Sequence, residues 1–293
     1  MKVLMVGKTG QLASFMQITQ PDLELTCLGR DQLDLSKPEH IADLLGSHSF
    51  DLLVNTAAYT AVDKAESEPG LAQAVNAESP GELAKVCASR QVPMIHYSTD
   101  YVFPGDASSP YIEADATGPK SVYGLTKLEG EQAVRTANKK HFIFRTSWVY
   151  GEIGQNFFIT MRKLASERDS LSIVNDQVGG PTYARAIADC SWRVIQKIRN
   201  NEDLPWGTFH MSCAGEVSWF EFAQALLNLS GYTQVQLSPL STAEYPTPAS
   251  RPAYSVLDNS ALNENLGIRM PEWSQALESC IRFADGGAPI DAK

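Results

Sequence analysis

Short apolar runs alternate along this chain with longer stretches whose apolar residues recur every three or four positions. "KVLMV" (2–6), "LELTCLG" (23–29), "DLLVNTAA" (51–58), "VPMIHYST" (92–99) and "HFIFRTSWVY" (141–150) are runs of strand length. Such runs suit strands buried on both faces of a parallel sheet. Between them, residues 11–19, 37–46, 70–90 and 123–138 carry helical periodicity, clearest in "PGLAQAVNAESPGELAKVCASR". Strand–helix alternation over the first 150 residues predicts an α/β fold, a doubly wound parallel sheet with right-handed crossovers.

The second half changes character. "NFFITMRKLASER" (156–168), "YARAIADCSWRVIQKIRN" (183–200) and "VSWFEFAQALLNL" (217–229) read as amphipathic helices, and "SLSIVNDQ" (170–177) and "TFHMSCA" (208–214) as strands. The Pro/Ser-rich stretch "SPLSTAEYPTPASRP" (238–252) reads as a long ordered loop. The expected organisation is a larger nucleotide-binding domain, residues 1–150 plus about 183–214, and a smaller C-terminal domain, about 151–182 and 215–293. The chain then crosses between them more than once.

Composition narrows the chemistry. The net charge of −10 disfavours long-range attraction to nucleic acid or to a membrane surface, so neither is an expected partner. The N-terminal apolar run is too short for a signal peptide, and the expected location is the cytoplasm. Cys27, Cys87, Cys190, Cys213 and Cys280 are scattered and odd in number, which favours free thiols. The five histidines lack metal-ligand spacing and no G-x-S-x-G occurs, so no metal and no serine-hydrolase elbow are expected.

"VGKTGQLA" (6–13) follows the first strand and opens the first helix with the spacing G-x-x-G-x-x-A. Gly7 allows a tight turn, Gly10 lets backbone approach a pyrophosphate, and the small Ala13 permits close helix–strand packing. First-turn N–H groups and the helix dipole then face the phosphates. This predicts a Rossmann-type dinucleotide site. The second strand ends "CLGRD", where Arg30 could pair with a 2′-phosphate or stand as a solvated surface charge. NADPH is the favoured cofactor, with NADH as a second option.

"YGLTK" (123–127) places Tyr123 and Lys127 four apart, on one face of a helix. A nearby ammonium or nicotinamide cation favours the phenolate and lowers a tyrosine's pKa, which suits a proton donor near neutral pH. The strand "VPMIHYSTD" brings Thr99 to the carboxyl edge of the sheet, where open α/β sheets bind ligands. Plain alternatives stand beside both: a capping hydroxyl for Thr99 and a surface charge for Lys127.

With these residues in view, the chain resembles the extended short-chain dehydrogenase/reductase superfamily, and within it the dTDP-4-dehydrorhamnose reductases. The resembling blocks run from residue 1 to about 282: "GKTGQLA", "LDLS", "VNTAAYTAVDKAE", "HYSTDYVFPG", "YGLTKLEGE", "FRTSWVYG", "DQVGGPT", "GEVSWFEFA" and "RPAYSVLD". The resemblance implies NAD(P)H-dependent reduction of the C4 keto group of a nucleotide sugar, dTDP-4-dehydro-L-rhamnose. Tyr123 would protonate the C4 oxygen. Lys127 would hold the nicotinamide ribose and depress the tyrosine pKa, and Thr99 would polarise the keto group. Gln11, Leu12, Asp34, Leu35, Ala57, Ala58 and Thr60 would line the dinucleotide. Asp100, Tyr101 and Trp148 would face the sugar nucleotide, Trp148 having a half-buried core aromatic as its alternative. Arg251 would either clamp the substrate diphosphate or dock the C-terminal loop.

Related 4,6-dehydratases carry Asp-Glu after the threonine. Here Tyr101 replaces the glutamate, so elimination lacks its second carboxylate. Some relatives place an acid on the first helix for a divalent metal at a dimer contact, and Phe15 offers no such ligand. A homodimer is one assembly the resemblance allows. Two other functions share the scaffold: a nucleotide-sugar reductase or epimerase of different specificity, and a non-catalytic regulatory subunit.

Overall fold

The computed structural model describes residues 1–286; the last part of the C-terminal domain expected from the sequence, residues 287–293, lies outside them. Six parallel strands form the central sheet. In chain order they are β1 (Lys2–Val6), β2 (Glu24–Leu28), β3 (Leu52–Asn55), β4 (Met94–Thr99), β5 (His141–Thr146) and a sixth, Gly207–His210. Their order across the sheet is Gly207–His210, β5, β4, β3, β1, β2. The order reverses between β1 and β3, so a crevice opens at the carboxyl ends of these strands.

The central strands read as continuous apolar runs because helices cover both faces. On one face, Leu4, Val6, Leu53 and Ile143 pack with Leu45, Leu83, Cys87 and Val134. On the other, Val3, Met5, Val54 and Phe144 join Phe15, Met16 and Ile187, and this core runs on into Phe158, Val217, Phe222 and Leu277 of the second half. Phe15 is wholly buried there, edge-on to Tyr183.

Three expectations need correction. The run 141–150 is not one strand: β5 stops at Thr146, Trp148 takes φ +45°, and Val149–Tyr150 pairs instead with Thr182–Tyr183. The left-handed backbone at Trp148 turns the chain away from the sheet edge. The helix over 70–90 is interrupted by a π-helical turn, Ala74–Glu78, between Pro69–Gln73 and Ser79–Ser89. The Pro/Ser-rich loop begins as strand, since Gln236–Leu240 pairs in parallel with Ser170–Val174.

Candidate active site

The crevice is built first from β1. Gly7 has φ +102°, and a side chain there would place its Cβ 2.5 Å from Thr56 Oγ1. The turn therefore lies against the end of β3 and only glycine fits it. Helix α1 (Gln11–Ile18) starts at Gly10 with no side-chain cap and no acidic residue in its first turn. Its positive end is left to an anion. Gln11 and Leu12 are partly exposed beside it, and the Gln11 side chain accepts a bond from Asn156 Nδ2 at 2.8 Å.

Beyond β3, Ala57, Ala58 and Thr60 lie on a loop that is partly open to solvent. Asn76, in the π-helical turn, holds that loop by accepting from Tyr59 N–H at 2.8 Å and donating to Tyr59 O at 3.0 Å. At the far edge Asp34 accepts from the N–H and hydroxyl of Ser36, which hold its carboxyl below the usual range. Leu35 is buried. Arg30 is exposed, 3.5 Å from Asp34, beside a groove also lined by Asp31, Gln32 and Lys37.

The chemistry sits at the end of β4. Thr99, the last strand residue, accepts from Tyr101 N–H at 3.2 Å and donates its hydroxyl to Asp100 Oδ1 at 2.9 Å. Asp100 is 2% exposed and its Oδ2 has no protein partner. Burial pushes its carboxyl up to about 6, with the hydroxyls of Ser255 and Thr99 pulling the other way.

The helix Val122–Ala137 delivers Tyr123 and Lys127. Ser121 caps it by accepting from Gly124 N–H at 3.1 Å. A Cβ at Gly124 would overlap the Tyr101 carbonyl oxygen, so this glycine lets the helix close onto the β4 turn. The result is an edge-on contact of the Tyr101 and Tyr123 rings, with centroids 5.5 Å apart. Lys127 is 2% exposed, and its Nζ donates to Tyr97 O at 2.6 Å.

Burial dominates the electrostatics of this pair. Burial pushes the Tyr123 phenol up to about 12, and Asp100 adds to the rise. The group that draws it down is the Thr99 hydroxyl, not Lys127. The lysine points its ammonium at a backbone carbonyl, and burial lowers its own pKa to about 8. Glu131, one turn further on, opposes that lowering. Glu131 itself is wholly buried, accepting from Arg145 Nε at 2.9 Å and Nη2 at 2.8 Å, and paired with Arg135.

Thr99, Asp100, Tyr101, Tyr123 and Lys127 thus converge. Trp148 stands one strand over, half-buried. Its ring stacks on Trp219 at 3.5 Å and packs against Gly179. Arg251 donates from Nη2 to Asp63 Oδ2 at 2.8 Å, while its buried Nη1 has no protein partner. Loop docking therefore occupies one side of the guanidinium and leaves the other. Sequence reasoning missed Asp63, Ser255, Trp219 and Asn76. Only Trp219 carried a signal, an aromatic at the start of a helix in "VSWFEF".

A family profile described as the RmlD substrate binding domain matches residues 1–285. The dTDP-4-dehydrorhamnose reductase of Sinorhizobium fredii is 44% identical over 286 residues, covering 96% of this chain and 97% of its own. The chain belongs to the dTDP-4-dehydrorhamnose reductase family. A solved dTDP-4-dehydrorhamnose reductase from Clostridium acetobutylicum superposes with a TM-score of 0.90 at 38% identity, covering 97% of this chain and all of the other. The Bacillus anthracis dTDP-4-dehydrorhamnose reductase, solved in complex with NADP, gives 0.89 at 34% identity, over 96% and 99% of the two chains. The Rossmann architecture expected from the alternating pattern is the fold of this reductase family.

Proposed function

We propose that this chain reduces the C4 keto group of dTDP-4-dehydro-L-rhamnose to dTDP-L-rhamnose with NADPH, NADH being the weaker donor. The observation that carries the reading is the convergence of Thr99, Tyr123 and Lys127 at the sheet's carboxyl edge, beside a turn that only glycine fits. Family membership and the NADP held by the Bacillus anthracis relative support it.

The residues fit a dinucleotide. Gly7, Gly10, Gln11 and Leu12 would meet the pyrophosphate; Arg30, Asp34 and Leu35 the adenosine end; Ala57, Ala58 and Thr60 the span between. When bound, the reduced nicotinamide supplies the hydride. Lys127, whose Nζ lies on the Tyr97 carbonyl, would hold its ribose. Thr99 hydrogen-bonds the keto oxygen and Tyr123 gives it a proton, so charge developing on that oxygen meets two donors. Asp100, Tyr101, Trp148 and the open side of Arg251 hold the sugar nucleotide. Tyr101 next to Asp100 leaves no second carboxylate for eliminating water.

In this reading residues 1–150 and about 183–214 hold the dinucleotide, and 151–182 with the remainder hold the sugar. The setting is cytoplasmic and the assembly a homodimer. No helix among the described residues is long and apolar enough to cross a membrane.

The test is a panel of 4-keto nucleotide sugars offered with each cofactor and followed at the nicotinamide absorbance. Stoichiometric NADPH oxidation by dTDP-4-dehydro-L-rhamnose is expected. Turnover without net cofactor oxidation indicates an epimerase, and no turnover on any sugar indicates a binding subunit.

A further inference from the structure

Asn156 stands where the two halves of the chain meet at the crevice. Its Oδ1 caps the helix Phe157–Glu167 by accepting from Ile159 N–H at 3.2 Å. Capping needs only that oxygen, and a serine would supply one. The amide end makes bonds that a cap does not require. Asn156 Nδ2 donates to Gly151 O at 2.8 Å and to Ile153 O at 3.2 Å, which folds the loop 151–155 back on itself. It also donates to Gln11 Oε1 at 2.8 Å, across 145 residues of sequence, on the first residue of α1. Gly154, at φ +81°, brings the same loop so near that a Cβ there would lie 3.2 Å from Gln11 Cγ. The turn that fits a pyrophosphate is thus bonded to the start of a helix in the second half.

That helix start leads on toward the sugar side. The Phe157 ring packs on Trp219 with centroids 4.5 Å apart, and Trp219 stacks on Trp148 at 3.5 Å. Trp148 holds φ +45°, a backbone that a bulky residue keeps only where its surroundings dictate it. Those surroundings include the Trp219 ring and Gly179, where a Cβ would come 2.4 Å from the indole. Gln11, Asn156, Phe157, Trp219 and Trp148 therefore form one unbroken run of contacts between the two ligand regions.

We propose that Asn156 is a positioning residue that couples the two sites, so that a dinucleotide pyrophosphate and the sugar nucleotide bind cooperatively. The inference rests on the reductase reading above. A pyrophosphate on the open N-terminus of α1 immobilises Gln11, whose side chain is partly exposed without it. The Gln11–Asn156 bond then fixes the first turn of the helix Phe157–Glu167, and Phe157 buttresses Trp219 beneath Trp148. Ordering that the first ligand has brought about is not required again of the second. Linkage makes the effect reciprocal: each ligand tightens the other by the same factor.

Calorimetry on the full chain tests this. Binding of dTDP-L-rhamnose is measured with and without saturating ADP-ribose 2′-phosphate, which carries the pyrophosphate but lacks the nicotinamide that would touch the sugar. About fivefold tightening is expected in wild type. Asn156→Ser keeps a cap oxygen and cannot reach Gln11; its unfolding midpoint should stay near wild type while the coupling factor falls to about one. Gln11→Met removes the acceptor and should lose the same coupling, and the double variant should lose no more than either single one. Trp219→Leu breaks the run at its other end, so it should lose the coupling and keep its affinity for ADP-ribose 2′-phosphate alone. Independent binding of the two ligands by wild type overturns the proposal. So does full coupling in Asn156→Ser, which would reduce Asn156 to a helix cap. If that variant does not fold, full coupling in Gln11→Met overturns it. Failure of wild type to bind dTDP-L-rhamnose at all strikes the reductase reading as well; the other adverse results strike the coupling alone.

Discussion

At the residue scale, the site runs on burial more than on ion pairing. The Tyr-x-x-x-Lys spacing was legible because two positions four apart must share a helix face. The direction of the pKa shift was not, because burial is a tertiary property and here pushes the phenol up and the ammonium down. The Lys127 and Asp100 shifts both carry a pH dependence. Lys127 loses its charge above about 8, so NADPH affinity is expected to fall above that pH. Fluorescence titration from acid to alkaline buffer checks this, with Lys127→Met binding weakly and showing no such dependence. Asp100 has its folded pKa raised, so the folded state binds more protons than the unfolded chain between about 4 and 6. The stability linked to that proton is complete at lower pH and lost as pH rises through 6. At pH 8 Asp100→Asn is expected to unfold at higher denaturant than wild type, by on the order of 2 kcal/mol. A midpoint gain that disappears at pH 4 confirms the sign.

At the element scale, strand and helix positions were legible from apolar spacing, and their interruptions were not. The run 141–150 looks uniform in hydrophobicity, yet ends as a sheet strand at Thr146 because the positive φ of Trp148 redirects the chain. Periodicity cannot show a backbone dihedral. The same holds for the π-helical turn whose Asn76 carries the cofactor-side loop. Two glycines fix how close the elements come. Gly124→Ala forces the helix Val122–Ala137 away from the Tyr101 carbonyl. Displacement of Tyr123 on that helix should lower kcat on the order of 10²-fold, with a smaller change in NADPH affinity. Gly7→Ala meets both a clash with Thr56 and a φ of +102°. It is expected to cost about 1–3 kcal/mol in stability and to weaken NADPH binding more than it lowers kcat. Denaturant unfolding and cofactor titration distinguish the two variants.

At the scale of the whole molecule, one continuous core joins a face of the sheet to the second half, and the C-terminal segment is pinned across the crevice. Arg251 and Ala249 N–H both bond Asp63, while Ala253 N–H and Tyr254 N–H donate to Gly105 O. The sequence left Arg251 between two roles because its docking partner lies 188 residues away, too far for any local pattern. Asp63→Ala removes that anchor and should raise KM for the nucleotide sugar about tenfold through lost positioning, leaving NADPH affinity unchanged. The whole arrangement directs one phenolic proton at a substrate carbonyl, and Tyr123→Phe tests that most directly. NADPH binding to the variant should match wild type, while NADPH oxidation by dTDP-4-dehydro-L-rhamnose should fall about 10²–10⁴-fold. A variant that binds NADPH normally and reduces the sugar at the wild-type rate would contradict the account.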